Sequence, residues 1–351
     1  MKSHILCSVL GILLLSQAAH AKPYFQDAKL EEQKDVLATT AFPIDIDRVV
    51  VLGDSLSDSE GRFLQRTKGF VPTPQYNWGG RFSNGPLWIE YLTHALNLPT
   101  LNYSMSGARI ELKNSLGSLP NVSWLDTWKV PSGFEQLDEF VTQESNFRPS
   151  DVLFINLGPN DYLFDASAGK VEAYVLSLTR LIEKSISLGA TKIVTFKLPS
   201  GLKYMTFSAK DERGLPVDQK AFELMIEKHN ILFAASIADL QKRYPDVRLH
   251  LYSTDDNMDT VRSRPSDFGI ENLTAPCYTG FAVAGTDILA DLGIKNVVCQ
   301  NPRGHVFWDT AHPTTFMHCL SAVEVLSQMQ SEGLVDNFGA RAAEERCKTI
   351  D

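Results

Sequence analysis

Five short apolar runs punctuate the chain, with helix-like stretches between them, and this alternation constrains the fold more than any other feature. The runs are residues 49–52, 100–103, 152–157, 192–196 and 247–252. Runs of this length read as buried strands. A helix opens behind Pro86, a favoured first-turn residue, and continues through Leu87-Trp88-Ile89-Glu90-Tyr91-Leu92. Another shows Val171, Tyr174, Val175, Leu178, Leu181, Ile182 and Ile186, a 3.6-residue period. A third long helical stretch covers 216–243, and Phe316, Cys319, Leu320, Val323, Leu326 and Met329 mark a last helix after Thr314. Strands alternating with helices require crossover connections, and therefore a parallel sheet covered on both faces. The expected fold is one three-layer α/β/α domain over residues 22–351 with a five-stranded parallel sheet. At 351 residues and 44% hydrophobic, the chain can bury such a core. No repeat, low-complexity tract or Ser/Gly linker divides it. Long loops are expected at 59–85, 104–132, 200–216 and 255–312.

Residues 1–21 read as a secretory signal peptide: Lys2 precedes the apolar stretch 5–15, and Ala19-His20-Ala21 follows. The stretch is too short to span a bilayer comfortably. Asp and Glu number 42 against 33 Lys and Arg, a balance that argues against a nucleic-acid partner. Cleavage after Ala21 would leave Cys277, Cys299, Cys319 and Cys347. Four cysteines in an exported protein favour disulfides, with three connectivities open. Neighbours in sequence suggest Cys277–Cys299 and Cys319–Cys347. The cysteine spacing matches no metal site, so no metal is expected, and no cofactor is implied.

The chemistry gathers in four blocks. Gly53-Asp54-Ser55-Leu56-Ser57 follows the first strand, and Ser104-Met105-Ser106-Gly107-Ala108 the second. Gly158-Pro159-Asn160-Asp161 follows the third, and Asp309-Thr310-Ala311-His312-Pro313 precedes the last helix. The ends of parallel strands are where open α/β sheets place ligands. Ester cleavage needs a nucleophile, a base with an orienting carboxylate, and donors for an oxyanion. His305 is the rival base, but it lacks the Asp-x-x-His-Pro frame. Asp54 reads as a cap or turn residue outside the catalytic set; Asp161 caps a turn or supports the site.

These blocks resemble those of GDSL-type members of the SGNH hydrolase superfamily, as do Gly80-Arg81-Phe82-Ser83-Asn84-Gly85-Pro86-Leu87-Trp88 and Phe268-Gly269-Ile270 running on to Cys277-Tyr278. The resemblance covers roughly residues 48–330. It implies that Ser55 is the nucleophile, His312 the base and Asp309 its orienter. It further implies an oxyanion hole made by the backbone N–H groups of Ser55 and Gly107 and the amide of Asn160. The group it points to comprises exported bacterial lysophospholipases A, phospholipases A and glycerophospholipid:cholesterol acyltransferases, including thermolabile haemolysin-like proteins. The expected activity is therefore removal of fatty acyl chains from lysophospholipids and phospholipids, with acyl transfer to a sterol open. Alternatives are a carbohydrate or short-chain aryl esterase on the same scaffold, or a non-catalytic binding protein. The expected partners are a lipid ester, a transient membrane surface and an activating protease cutting within 278–298, a segment that reads as a lid or a stapled loop. The expected location is outside the cell, in the periplasm or on the outer surface of a bacterium. Aromatic residues of loops 63–88 and 122–134 either line an acyl channel or anchor the loops in the core.

Overall fold

Alternate residues of each strand face opposite sides of a sheet, and here both sides are apolar. A computed structural model describes residues 32–111, 114–115, 129–199, 217–280 and 297–350. The expected signal peptide, loop 200–216, most of loop 104–132 and residues 281–296 of the stapled loop lie outside them. The five runs form strands β1 (Arg48–Gly53), β2 (Thr100–Asn102), β3 (Asp151–Asn156), β4 (Lys192–Phe196) and β5 (Arg248–Tyr252). They make one parallel sheet in the order β2-β1-β3-β4-β5.

Nine helices accompany the sheet among the described residues: α1 (Arg62–Arg66), α2 (Trp88–Leu96), α3 (Gly133–Glu144), α4 (Pro159–Phe164), α5 (Val171–Ser187), α6 (Gln219–Arg243), α7 (Asp255–Ser263), α8 (Thr315–Ser331) and α9 (Ala340–Cys347). Val49, Val51, Val152, Phe154 and Val194 pack with the buried faces of α2 and α8. Val50, Leu52, Leu153, Ile155 and Ile193 pack with α3, α5 and α6 on the other side. This is the expected α/β/α layering.

Five helices depart from the sequence reading: α1 lies inside the predicted loop 59–85, α4 follows β3 where the sequence reading has no helix, and α3, α7 and α9 are the others. The predicted loop 255–312 begins with α7, whose residues are mostly polar; Met258 and Val261, three apart, turn to the core. Helix α9 is rich in charge, yet Ala343 and Cys347 are buried. The Cys319–Cys347 disulfide joins it to α8. Helix α3 starts in a reciprocal cap: Glu135 N–H donates to Ser132 Oγ at 3.3 Å, and Ser132 N–H to Glu135 Oε2 at 3.1 Å. The N-terminal lead also contains structure, since Phe42–Pro43 pairs antiparallel with Val335–Asp336.

Arg48, at the start of β1, is buried and grips Asp151 at the start of β3 through two bonds, Nε to Oδ1 at 2.8 Å and Nη2 to Oδ2 at 2.7 Å. Its Nη1 reaches Glu144 Oε2 at 2.5 Å. The strand order matters most at the opposite, carboxyl edge. Successive connections leave β1 and β3 in opposite directions, which opens a crevice beyond those two strand ends.

Candidate active site

Ser55 stands in the turn that ends β1. Gly53 is clamped by Gln136, whose Oε1 accepts the Gly53 N–H and whose Nε2 donates to the Gly53 carbonyl, both at 2.9 Å. A Cβ on Gly53 would lie 2.7 Å from Ser104 Oγ and 3.0 Å from Ser57 Cβ, so a side chain here would have to displace both serines. Asp54 Oδ1 then accepts the Leu56 N–H at 3.0 Å and shapes the turn.

His312 arrives from the other end of the chain. Its Nε2 is 2.8 Å from Ser55 Oγ. Its Nδ1 is 2.9 Å from each Asp309 carboxylate oxygen. A carboxylate only accepts, so Nδ1 carries the proton and Nε2 is left to accept from the serine hydroxyl. Asp309 Oδ1 also takes the backbone N–H groups of Ala311 at 2.8 Å and His312 at 2.7 Å, which locks the carboxylate in place.

The block around residues 80–88 holds this histidine segment. The Phe82 ring lies 4.8 Å from the imidazole, centroid to centroid. Ser83 Oγ donates to Pro313 O at 3.0 Å, and Thr315 N–H donates to Asn84 Oδ1 at 2.8 Å. Tyr91 and Thr315 hydroxyls meet at 2.7 Å.

Gly107 sits at φ +83°, where a side chain would be strained. Two buried carboxylates tie down its loop. Asp58 Oδ2 accepts the Ser106 N–H and hydroxyl, each at 3.0 Å, and Asp58 also caps α1 through the N–H groups of Arg62 and Phe63. Asp161 Oδ2 accepts the Ile110 N–H at 3.0 Å, and Arg109 lies 3.5 Å from its other oxygen. Burial pushes the Asp161 carboxyl up to about 6 against the pull of Arg109. Of the two roles left open for Asp161, the bond to Ile110 supports the Gly107 loop.

Asn160 lies in α4, one residue beyond its opening proline. Its Nδ2 donates to Ala108 O at 3.0 Å and approaches Asp54 Oδ2 at 3.4 Å. Asp54 is 1% exposed, and burial pushes its carboxyl up to about 7, opposed by the Leu56 N–H and by His312. Sequence reasoning left Asp54, Asp58, Gln136 and Phe82 without site roles. Their partners lie far along the chain, and only the -Gly-Asp-Ser- context pointed at Asp54.

Ser55, Asn160 and His312 open onto one cavity with apolar walls from Trp88, Leu163, Phe196, Met258, Phe307 and Met317. His318 also lines it, and burial holds this imidazole down at about 3. The rival base His305 is engaged elsewhere, with Nε2 3.1 Å from Asn272 Nδ2 and Nδ1 3.0 Å from Asn301 O. It lies beside the Cys277–Cys299 disulfide. Those three residues are the one metal-sized trio among the described residues, and the disulfide removes the thiolates that a metal would need. Both disulfides join the pairs suggested by sequence order. Most aromatic loop residues are core anchors: Phe63 and Trp78 are buried. Trp88, also buried, forms part of the cavity wall as well, and Phe82, packed against the core, also lies against His312. Trp124 and Trp128 lie outside the described residues.

A hydroxyl, an imidazole and a carboxylate in line at the switch point of a parallel sheet define a serine-hydrolase type of α/β protein. The comparisons narrow the class: the family model GDSL-like Lipase/Acylhydrolase matches residues 49–322, and the chain belongs to that family of hydrolytic enzymes. It is 28% identical over 291 residues to the thermolabile hemolysin of Vibrio parahaemolyticus, covering 81% of this chain and 64% of the relative. It is 24% identical over 368 residues to a phosphatidylcholine-sterol acyltransferase of Aeromonas hydrophila, covering 95% and 98%. It is 27% identical over 287 residues to the secreted effector protein SseJ of Salmonella typhimurium, covering 80% and 62%. The chain thus spans less than two thirds of the Vibrio and Salmonella relatives and nearly all of the Aeromonas one. Among the described residues, no helix is long and apolar enough to cross a membrane.

Proposed function

We propose that the chain is an exported lipolytic ester hydrolase that removes fatty acyl chains from lysophospholipids and phospholipids through an acyl-Ser55 intermediate. The observation that carries this reading is the 2.8 Å approach of His312 Nε2 to Ser55 Oγ at the mouth of an apolar cavity. Ser55 Oγ attacks the ester carbonyl as its proton passes to His312 Nε2. The new imidazolium is stabilised by Asp309, which stays ionised. Collapse of the tetrahedral intermediate breaks the C–O bond, and His312 returns the proton to the leaving alkoxide. Water, activated by the same imidazole, then cleaves the acyl-serine. The backbone N–H groups of Ser55 and Gly107 and the Asn160 amide are the proposed oxyanion donors; losing one such donor costs about 2.7–4 kcal/mol of transition-state stabilisation.

The apolar walls suit an acyl chain better than a sugar ring, whose hydroxyls would lose hydrogen bonds there. A relative named for phosphatidylcholine and sterol supports a lipid substrate and leaves a sterol hydroxyl as an acceptor competing with water. A transient contact with a membrane surface follows from such a substrate. Export is supported by the signal-like residues 1–21 and by two disulfides, which persist outside the cytosol. The proposed activating protease site falls largely in 281–296, outside the described residues.

The test compares hydrolysis of lysophosphatidylcholine with that of sugar acetates by purified mature protein, alongside labelling by a fluorophosphonate. Long-chain lysolipid turnover and labelling at Ser55 are expected. Activity confined to acetates overturns the lipid reading, and an unlabelled, inert protein overturns the enzyme mechanism.

A further inference from the structure

An asparagine amide has two orientations of nearly equal shape, one presenting NH2 and the other C=O to the same neighbour. At Asn160 the choice decides the proposed chemistry, because a carbonyl oxygen would repel a developing oxyanion that an N–H would bind. Two acceptors from two different loops address the nitrogen. Ala108 O, beyond β2, accepts at 3.0 Å, and Asp54 Oδ2, beyond β1, lies at 3.4 Å. The other Asp54 oxygen is held by the Leu56 N–H. The carboxylate therefore cannot turn from Asn160 without undoing the turn that carries Ser55.

Asp54 is almost fully buried, and the titratable groups facing it are His312 and Asp161. Keeping a carboxylate there is costly, and a turn alone does not need one: an asparagine shapes the same turn. What asparagine cannot do is accept from both Leu56 and Asn160 at once, because one of its two side-chain termini is a donor.

We propose that Asp54 is a positioning residue which, together with Ala108 O, selects the orientation of the Asn160 amide that offers Nδ2 to the substrate. This rests on the hydrolase reading above. Nδ2 has two protons. Ala108 O keeps one throughout. The longer contact, to Asp54, orients the second before substrate arrives and releases it to the oxyanion during attack.

The test is a cycle of kcat and KM on p-nitrophenyl butyrate at about pH 8.5, above the value of about 7 to which burial pushes Asp54 so that its carboxylate is ionised, with Asp54→Ala and Asp54→Asn each made in the wild-type and Asn160→Ala backgrounds. In the wild-type background each Asp54 substitution is expected to lower kcat about tenfold with little change in KM, the low end for a hydrogen bond to a charged group. Asn160→Ala alone should lower kcat by about 10²–10³. In the Asn160→Ala background Asp54→Asn, which keeps an oxygen for the Leu56 N–H, should cost less than about twofold, since nothing is left to orient, whereas Asp54→Ala also loses the Leu56 bond and should keep a residual loss in both backgrounds. Melting curves and far-ultraviolet circular dichroism report folding, and the near-isosteric Asp54→Asn carries the cycle if Asp54→Ala does not fold. An equal fold-loss in both backgrounds, no loss in either, or failure of both variants to fold overturns the positioning role and leaves the hydrolase reading standing. Wild-type turnover by Asn160→Ala overturns this role and the oxyanion assignment together.

Discussion

Asp309→Asn tests the proton logic of the site with almost no change in shape. In the native site Asp309 Oδ1 accepts from Ala311 N–H, His312 N–H and His312 Nδ1, while Oδ2 faces Nδ1 alone at 2.9 Å. An asparagine keeps its carbonyl oxygen on the two backbone donors, which leaves its NH2 facing Nδ1. Donor against donor is unfavourable, so the imidazole moves its proton to Nε2. That nitrogen then points an N–H at Ser55 Oγ, 2.8 Å away, and can no longer take the serine proton. Wrong-tautomer substitutions of this kind lower kcat by about 10⁴ in serine–histidine–aspartate sites. At 1.36 kcal/mol per decade that is about 5 kcal/mol of barrier. Steady-state hydrolysis of p-nitrophenyl butyrate should show this loss in kcat with KM nearly unchanged. The melting temperature should move by only a few degrees, because both backbone bonds survive. A variant retaining more than a tenth of the wild-type kcat refutes the assignment of Asp309 as the group that sets the tautomer.

Three further outcomes follow from the geometry. Gly107→Ala forces a side chain to φ +83° and should cost about 1–2 kcal/mol of stability by urea denaturation; an unchanged midpoint would contradict the strained loop. Arg48→Ala takes the cationic partner from the buried Asp151 carboxylate, leaving it the Arg148 N–H at 2.8 Å, and should destabilise by about 3–5 kcal/mol. Activity per folded molecule should be kept, because Arg48 sits at the edge of the sheet remote from Ser55; a specific loss of kcat would count against that separation. For His318, the folded value of about 3 lies below its ordinary 6.5, so the folded protein binds fewer protons than the unfolded chain between those values. Its contribution is complete above pH 6.5 and declines as pH falls toward 3. His318→Phe should therefore gain on the wild type by about 1.4 kcal/mol per pH unit on acidification below 6.5, and parallel pH profiles of the two proteins would exclude this.

The central sheet was legible in the sequence because a strand buried on both faces is a continuous apolar run, and that signal is local. The runs at 49–52 and 192–196 lie within or on the observed strands β1 and β4, and the 3.6-residue period at 171–186 is α5 almost residue for residue. Helix α3 was legible too, through the Ser132–Glu135 cap that the loop reading passed over. Helices α7 and α9 were not: each is short and mostly polar, with few core-facing residues, among them Met258 and Val261 in one and Ala343 and Cys347 in the other, and a disulfide also holds α9.

The site divides the same way. Ser55, Gly107, Asn160, Asp309 and His312 could be put forward as site candidates from short motifs, since each sits in its own few residues of context. Sequence alone could not bring His312 to Ser55 across 257 positions, nor show that Phe82 braces the imidazole, Gln136 clamps Gly53, or Asp54 faces the Asn160 amide. Those are distances between segments, set by strand order and helix packing. A hydrogen bond depends on tenths of an ångström that no local pattern records.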